Sequence, residues 1–256
     1  MAPGEISDEY EFFENMDKNR MYKAVISVQN DTTFEELTEI TSIIDCNKSG
    51  FNVAQKKTCK NFNKLISSLC SIKSSSSINR LLNDSDYYYL KLWFNLELIR
   101  NGAIGNDLLE EFSFSMYQEI KECFSKETMK NMLNDIEGNL LKKLKLLDNL
   151  YKNYFEIYYI FDSSSKEIRK CLEYSKECIK DYKTARLFCK NSNDNFYKAL
   201  MKYKQTYKSL YDEATKTNRS NGEYIKKLPR DYEIDGLSFY TNDEVEIYSF
   251  WSTNVF

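Results

Sequence analysis

The chain has 256 residues, 42% of them hydrophobic, and its 36 basic and 39 acidic side chains leave a net charge of -3. That balance gives no electrostatic case for nucleic acid, and the absence of histidine excludes Ser-His-Asp and Cys-His catalytic sites and any histidine metal ligand from this chain. Only 7 Gly and 2 Pro occur, where average usage would give about 18 and about 13, so turn punctuation is sparse and long helices are favoured over many short strands. No stretch approaches the roughly 18 apolar residues of a membrane span. The acidic start, Met1 to Asp17, has no apolar core of a signal peptide, so the protein is expected to stay where it is made or to be moved by another signal. Lys outnumbers Arg by 29 to 7, and Asn, Ile and Tyr are abundant. All have A/T-rich codons, which reflects the genome rather than the chemistry.

Taken in chain order, Asp8 to Met16 is a short helix carrying Tyr10, Phe12 and Phe13. Thr33 with Glu36 fits a capping box, followed by the apolar face Phe34, Leu37, Ile40 and Ile44. Gln55 to Ile72 puts Phe62, Leu65, Ile66 and Leu69 on one side and lysines mostly on the other, a surface helix with one buried stripe. Ser74 to Ser77 is a connector. Asp86 to Arg100 is apolar nearly all round, which predicts a central, buried helix, and Asn101-Gly102 ends it. Leu108, Phe112, Met116, Ile120 and Phe124 mark another. The longest pattern runs from Met129 through Leu133, Ile136, Leu140, Leu144, Leu147, Tyr151 and Tyr154 to Tyr158, with Gly138 as a weak point. Asp162 to Ser165 breaks the chain. Ile168, Cys171, Ser175, Cys178, Tyr182, Ala185 and Cys189 then share a face. After Asn191 to Asp194 the last helix carries Phe196, Leu200, Tyr203, Tyr207, Leu210 and Ala214.

These patterns predict an all-α protein. Residues 1–216 form a single multi-helix bundle with three long antiparallel helices at its C-terminal end. Residues 217–256, with Pro229, Gly236, acids and aromatics but no helical period, form an irregular, loosely packed C-terminal extension.

Cysteine is the chemically distinctive residue, with seven in the chain. Spacings of eleven (Cys59 to Cys70, Cys178 to Cys189) and seven (Cys171 to Cys178) return to one helix face, so these side chains point inward. Three readings follow: buried thiols acting as small hydrophobes, disulfides between neighbouring helices, or zinc ligands. Zinc is disfavoured because no C-x2-C spacing occurs. The compartment decides between the first two.

Several segments together resemble the PIR superfamily of malaria parasites, most closely its vivax branch, the VIR proteins. They are the aromatic opening Asp8 to Phe13, and Cys46, Cys59 and Cys70 with Asn61-Phe62-Asn63-Lys64-Leu65 between the last two. Tyr89-Leu90-Lys91-Leu92-Trp93-Phe94 resembles the family's YLNYWL motif, and Cys171, Cys178 and Cys189 precede the closing helix Phe196 to Tyr207. The match spans roughly residues 8 to 215, and the order and spacing of the segments carry it. The resemblance implies a non-enzymatic variant antigen exported to the infected red cell, surface or interior, as a monomer that binds a host protein in adhesion or immune evasion. It implies disulfide roles for Cys46, Cys59, Cys123, Cys171, Cys178 and Cys189. The cysteine that commonly precedes YLNYWL is replaced here by Tyr87, which leaves Cys70 as the free thiol. Many members carry a membrane span, so membrane contact is expected only through a segment absent from this chain. No catalytic, cofactor or metal-binding residue carries over.

Tyr87, Tyr88, Tyr89 and Trp93 are of the type that dominates binding hot spots, but a central helix makes core packing the better reading. The tail aromatics Phe239, Tyr240, Tyr248, Phe250 and Trp251 are stronger candidates for exposure. Gly102 to Gly105 reads as a turn rather than a nucleic-acid clamp. Arg80 to Asp84 matches an export pattern by chance. Asn30, Asn47, Asn83 and Asn218 open sequons. Besides the antigen, two other functions fit: an adaptor on the cytosolic side of the host-cell membrane binding the cytoskeleton, and a carrier for a small apolar ligand.

Overall fold

The computed structural model describes residues 9–16, 18–30, 46–47, 51–71, 82–102, 136, 138–162, 167–189, 191–217 and 223–234. Among them there is no strand. The helices are α1 (Phe12–Asn15), α2 (Lys18–Asn30), α3 (Val53–Ser71), α4 (Asp84–Arg100), α5 (Gly138–Asp162), α6 (Lys170–Phe188) and α7 (Asn195–Thr217), followed by a 3-10 turn at Asp231–Glu233. The all-α bundle is the observed architecture.

Local chemistry sets several helix starts. Asn83 Oδ1 accepts from the Asp86 amide at 2.8 Å and Asp86 Oδ2 accepts from the Asn83 amide at 3.0 Å. This capping box is worth about 1 kcal/mol, and it starts α4 at Asp84 rather than Asp86. Asn52 and Gln55 make the same reciprocal pair before α3, both bonds 2.9 Å. Asp194 Oδ1 accepts from the Phe196 amide at 2.9 Å to open α7. Gly102, at φ 64, takes the left-handed turn after α4 without the Cβ penalty that other residues meet there.

Two sequence expectations change. The long pattern from Met129 is not one helix: Ile136 is non-helical and α5 begins at Gly138. Met129 and Leu133 lie outside the described residues, as do the expected helices around 33–44 and 108–124. The second change is α2, which is absent from the sequence expectations although its apolar residues recur at three and four positions. It buries Met21, Tyr22, Ala24 and Val25 and packs Ile26 and Val28 against the core.

α5 is the axis of the molecule, packed against α2, α4, α6 and α7. Its partners run in register opposite to sequence. Glu156 faces Lys170 while Asn149 bonds Asp181, so α5 and α6 are antiparallel. Likewise Ser175 meets Tyr207 and Cys178 meets Tyr203 across α6 and α7. Aromatic rings fill the seams. Phe13 stacks on Tyr151 at 5.7 Å, Tyr22 on Phe155 at 5.1 Å, and Tyr151 meets Tyr203 edge-on at 5.2 Å. Such pairs add about 0.5–1.5 kcal/mol beyond the burial of their area. On the other side of the axis Phe62 of α3 meets Trp93 and Phe94 of α4.

α4 is buried nearly all round, as its composition predicts: Tyr87, Tyr89, Leu90, Leu92, Trp93, Phe94, Leu96 and Leu98 are core residues. Tyr88 and Ile99 are the exceptions, 44% and 51% exposed. Residues 223–234 are irregular, as expected, but they are not loosely packed. Ile225 and Ile234 are buried among the core residues, so this stretch is docked on the bundle. Phe239, Tyr240, Tyr248, Phe250 and Trp251 lie outside the described residues. No helix among the described residues is long and apolar enough to cross a membrane.

Candidate functional site

The structure divides the cysteines into two chemical states. Cys46 and Cys59 form a disulfide, with Cα atoms 5.6 Å apart and a sequence separation of 13. Both are buried, and Asn63 Nδ2 donates to Cys46 Sγ at 3.1 Å. The bridge fastens the chain before α3 to that helix's inner face, beside Phe62. Closing a loop of this size is worth about 3 kcal/mol in the chain-entropy description.

Cys171, Cys178 and Cys189 are free thiols, which corrects the expectation that they pair. The reason is geometric. Cys171 and Cys178 lie on α6, about 10 Å apart along one face, and Cys189 caps its end. None of the three can reach another, and what meets Cys178 from the neighbouring helices is not sulfur: Tyr203 Oη donates to its Sγ at 3.2 Å, and the thiol points at the Leu150 carbonyl oxygen 4.0 Å away. The Cys189 thiol donates to the Ala185 carbonyl oxygen at 3.3 Å. Burial pushes Cys171 and Cys189 up to about 11 and Cys178 up to about 12. At neutral pH they are protonated, poor nucleophiles that pack as small hydrophobes. Cys70 falls in the last turn of α3, its side chain outside the described residues, and Cys123 lies outside them as well.

Three buried polar clusters were not singled out by sequence reasoning. In the first, Asp148 on α5 accepts from Tyr22 Oη of α2 and Tyr89 Oη of α4, both at 3.0 Å on one carboxylate oxygen. Burial raises the Asp148 carboxyl, opposed by Lys152, the two tyrosine hydrogen bonds and Arg100. Burial, with the Asp148 charge next, holds both tyrosines well above the usual phenol range. The cluster ties three helices at one point and keeps a carboxylate satisfied in the core.

In the second, buried Glu97 accepts from Asn61 Nδ2 of α3 at 3.0 Å and from Asn101 Nδ2 at 3.2 Å, and pairs with Arg100. In the third, Arg186 of α6 grips Asp231 with two bonds, Nη2 to Oδ2 at 2.8 Å and Nε to Oδ1 at 3.3 Å. Burial works against the Arg186 charge, and the hydrogen bonds to Asp231 outweigh it and hold the guanidinium protonated. The hydrogen bond from Arg186 holds Asp231 below the usual carboxylate range.

A signal for two of these existed. Asp148 stands between Leu144, Leu147 and Tyr151 on the apolar face of its helix, and Arg186 is four residues from Tyr182 on the inward face of α6. A charge inside an apolar stripe calls for a partner, and only the fold names that partner.

Of the other sequence candidates, Tyr88 and Asn47 are exposed and the rest of those described are structural. Tyr87, Tyr89 and Trp93 are core residues. Asn83 spends its side chain on the cap of α4 and on the Asn15 carbonyl oxygen at 3.3 Å, while Asn47 is exposed. Among the described residues no group of three or more Cys, Asp or Glu side chains is placed to hold a metal ion. The fold and these sites define an all-α helical bundle fastened by a disulfide and by buried polar clusters. No family model, no curated protein and no solved structure matches this chain.

Proposed function

We propose that this protein is a variant antigen of the PIR type, related to the VIR proteins of malaria parasites, exported to the infected red cell to bind a host protein in adhesion or immune evasion. The observation that carries the reading is the Cys46–Cys59 disulfide. It falls in the cysteine region on which the resemblance rests, and a persistent disulfide suits a secreted or surface-displayed domain. The Tyr89–Phe94 motif forms core in α4, so recognition belongs to the helix surfaces and to the segment docked beside α6 and α7. In this reading the protein works by binding as a monomer and not by catalysis.

The test is antibody labelling of intact infected cells, with alkylation of the protein recovered from them. Surface signal and a blocked Cys46–Cys59 pair support the antigen. Signal only after permeabilisation, with all cysteines alkylated, overturns it. A second reading, an adaptor binding the cytoskeleton under the host membrane, draws on the three free thiols of α6 and its end, which a reducing cytosol would tolerate. A pull-down from erythrocyte ghosts that recovers no cytoskeletal protein would remove it.

A further inference from the structure

Residues 225–234 lie on α6 and α7 in the manner of a bound peptide. The stretch from Lys226 to Arg230 has no helix or strand. Its backbone is read at one residue: the Lys226 amide donates to Ser175 Oγ at 2.7 Å, and the Lys226 carbonyl oxygen accepts from Tyr207 Oη at 2.9 Å. Ile225 is an apolar anchor with no exposed surface. Six positions on, the Asp231 carboxylate is gripped by Arg186, whose side chain is 9% exposed, and faced by Lys204 Nζ at 3.9 Å. Main-chain hydrogen bonds, an apolar anchor and a two-bond arginine–carboxylate contact are how proteins recognise extended peptides.

The receiving surface is prepared from both helices. The Arg186 guanidinium stacks over the Tyr197 ring at 4.8 Å, and Lys204 Nζ sits over the Tyr182 ring at 5.2 Å. Both cations are thereby oriented toward one carboxylate. Tyr182 Oη is buried and has no hydrogen-bond partner among the described residues, although Asp231 is among the charges that act on it. The chain's own segment therefore leaves one polar group of the site unused, a cost that a different occupant can remove.

We infer that the α6–α7 surface formed by Ser175, Tyr182, Arg186, Lys204 and Tyr207 is a binding site for an extended peptide that carries an apolar anchor and one carboxylate, filled in cis by residues 225–234. A partner segment with an apolar residue and a carboxylate at similar separation takes the same contacts once the cis segment lifts. Because the tether holds that segment at roughly millimolar effective concentration, the partner binds weakly until something releases it. This deepens the proposed function by giving the chemistry of one partner site.

The test uses the full chain and a fluorescent synthetic peptide of residues 223–234, read by anisotropy. Ile225→Ala with Asp231→Asn loosens the cis segment and leaves the receiving side chains intact. The expected result is peptide binding at least about tenfold tighter than to the unaltered chain, lost by roughly thirtyfold or more when Arg186→Gln is added. Asp231→Asn in the peptide should weaken it comparably. Equal binding to the altered and unaltered chains, or indifference to Arg186→Gln, overturns the proposal. Native-state hydrogen exchange on the unaltered chain gives a check that needs no variant. The Lys226 amide should exchange at least about tenfold faster than amides in the middle of α7, through local opening. Exchange only through global unfolding would mean that the segment never leaves, and would overturn the proposal as well. Both readouts are independent of any host protein, so failure of the red-cell experiments and failure of this one are separable.

Discussion

The first part of the molecule is fastened by a covalent bond, and the last by hydrogen bonds and an ion pair. Cys46–Cys59 holds the approach to α3. Residues 223–234 are held to α6 and α7 by Ser175, Tyr207 and Arg186 with no sulfur bonded, although α6 carries two cysteines and a third ends it. The difference teaches that inward-facing cysteines do not by themselves imply disulfides. A bond needs a second sulfur at about 5–6 Å between Cα atoms, and the residues that meet Cys178 from α5 and α7 are a leucine carbonyl and a tyrosine. α5 links the two regions by packing against α2 and α4 and against α6 and α7.

The sharpest break in that comparison comes from the shared packing. Tyr203→Ala removes a fully buried ring that touches Tyr151, Tyr207 and the Cys178 thiol. It should cost about 3–5 kcal/mol in denaturant unfolding, and Cys178 should become reactive toward an alkylating agent in the folded protein.

Next is the covalent fastening. The double replacement Cys46→Ala and Cys59→Ala should cost about 3 kcal/mol, and reductant should destabilise the unaltered chain by a similar amount while leaving the variant unchanged. Equal sensitivity of both to reductant would place the important disulfide elsewhere.

Arg186→Gln tests the non-covalent fastening. Since Asp231 is 31% exposed at its side chain, water takes up part of the lost interaction, and the expected cost is about 1–3 kcal/mol, insensitive to reductant.

The smallest effect is in pH dependence, where two carboxylates should act with opposite sign. Burial first, and then Glu177, raises Asp181 to about 6. A raised carboxyl favours folding below its unfolded value and loses that contribution as pH rises through about 6. The full shift corresponds to about 3 kcal/mol; with solvent screening at this partly exposed side chain, Asp181→Asn should gain on the unaltered protein by roughly 1 kcal/mol between pH 4 and pH 8. Asp231 is lowered by its hydrogen bond from Arg186. Its contribution is present above the ordinary carboxylate range and is lost as pH falls through its lowered value. Thermal unfolding across pH distinguishes the two, and parallel profiles for Asp181→Asn and Asp231→Asn would refute the assignment.

Much of the helical framework is legible in the spacing of apolar residues. α3, α6 and α7 follow stripes at three and four positions, because an amphipathic helix must turn one face to the core. The central place of α4 follows from a composition that leaves almost no polar face. α2 is also legible in principle, since Met21, Tyr22, Val25, Ile26 and Val28 recur at three and four positions, although it is absent from the sequence expectations; what only the fold supplies is Tyr22 finding Asp148 and Phe155. The start of α5 at Gly138 is legible only as a weak point in the long pattern.

What the sequence determined by itself was the class: all-α, without a histidine-based site, with cysteines directed inward. Those follow from local rules, since periodicity, caps and composition act within a few residues. Which cysteines are bonded, which carboxylates are raised or lowered, and where residues 223–234 rest were decided only in three dimensions. Each depends on a group distant in sequence arriving within about 3–6 Å: Cys59 at Cys46, Tyr22 and Tyr89 at Asp148, and Asp231 at Arg186. Contacts of that range arise from how helices pack, and no local pattern encodes which residue arrives.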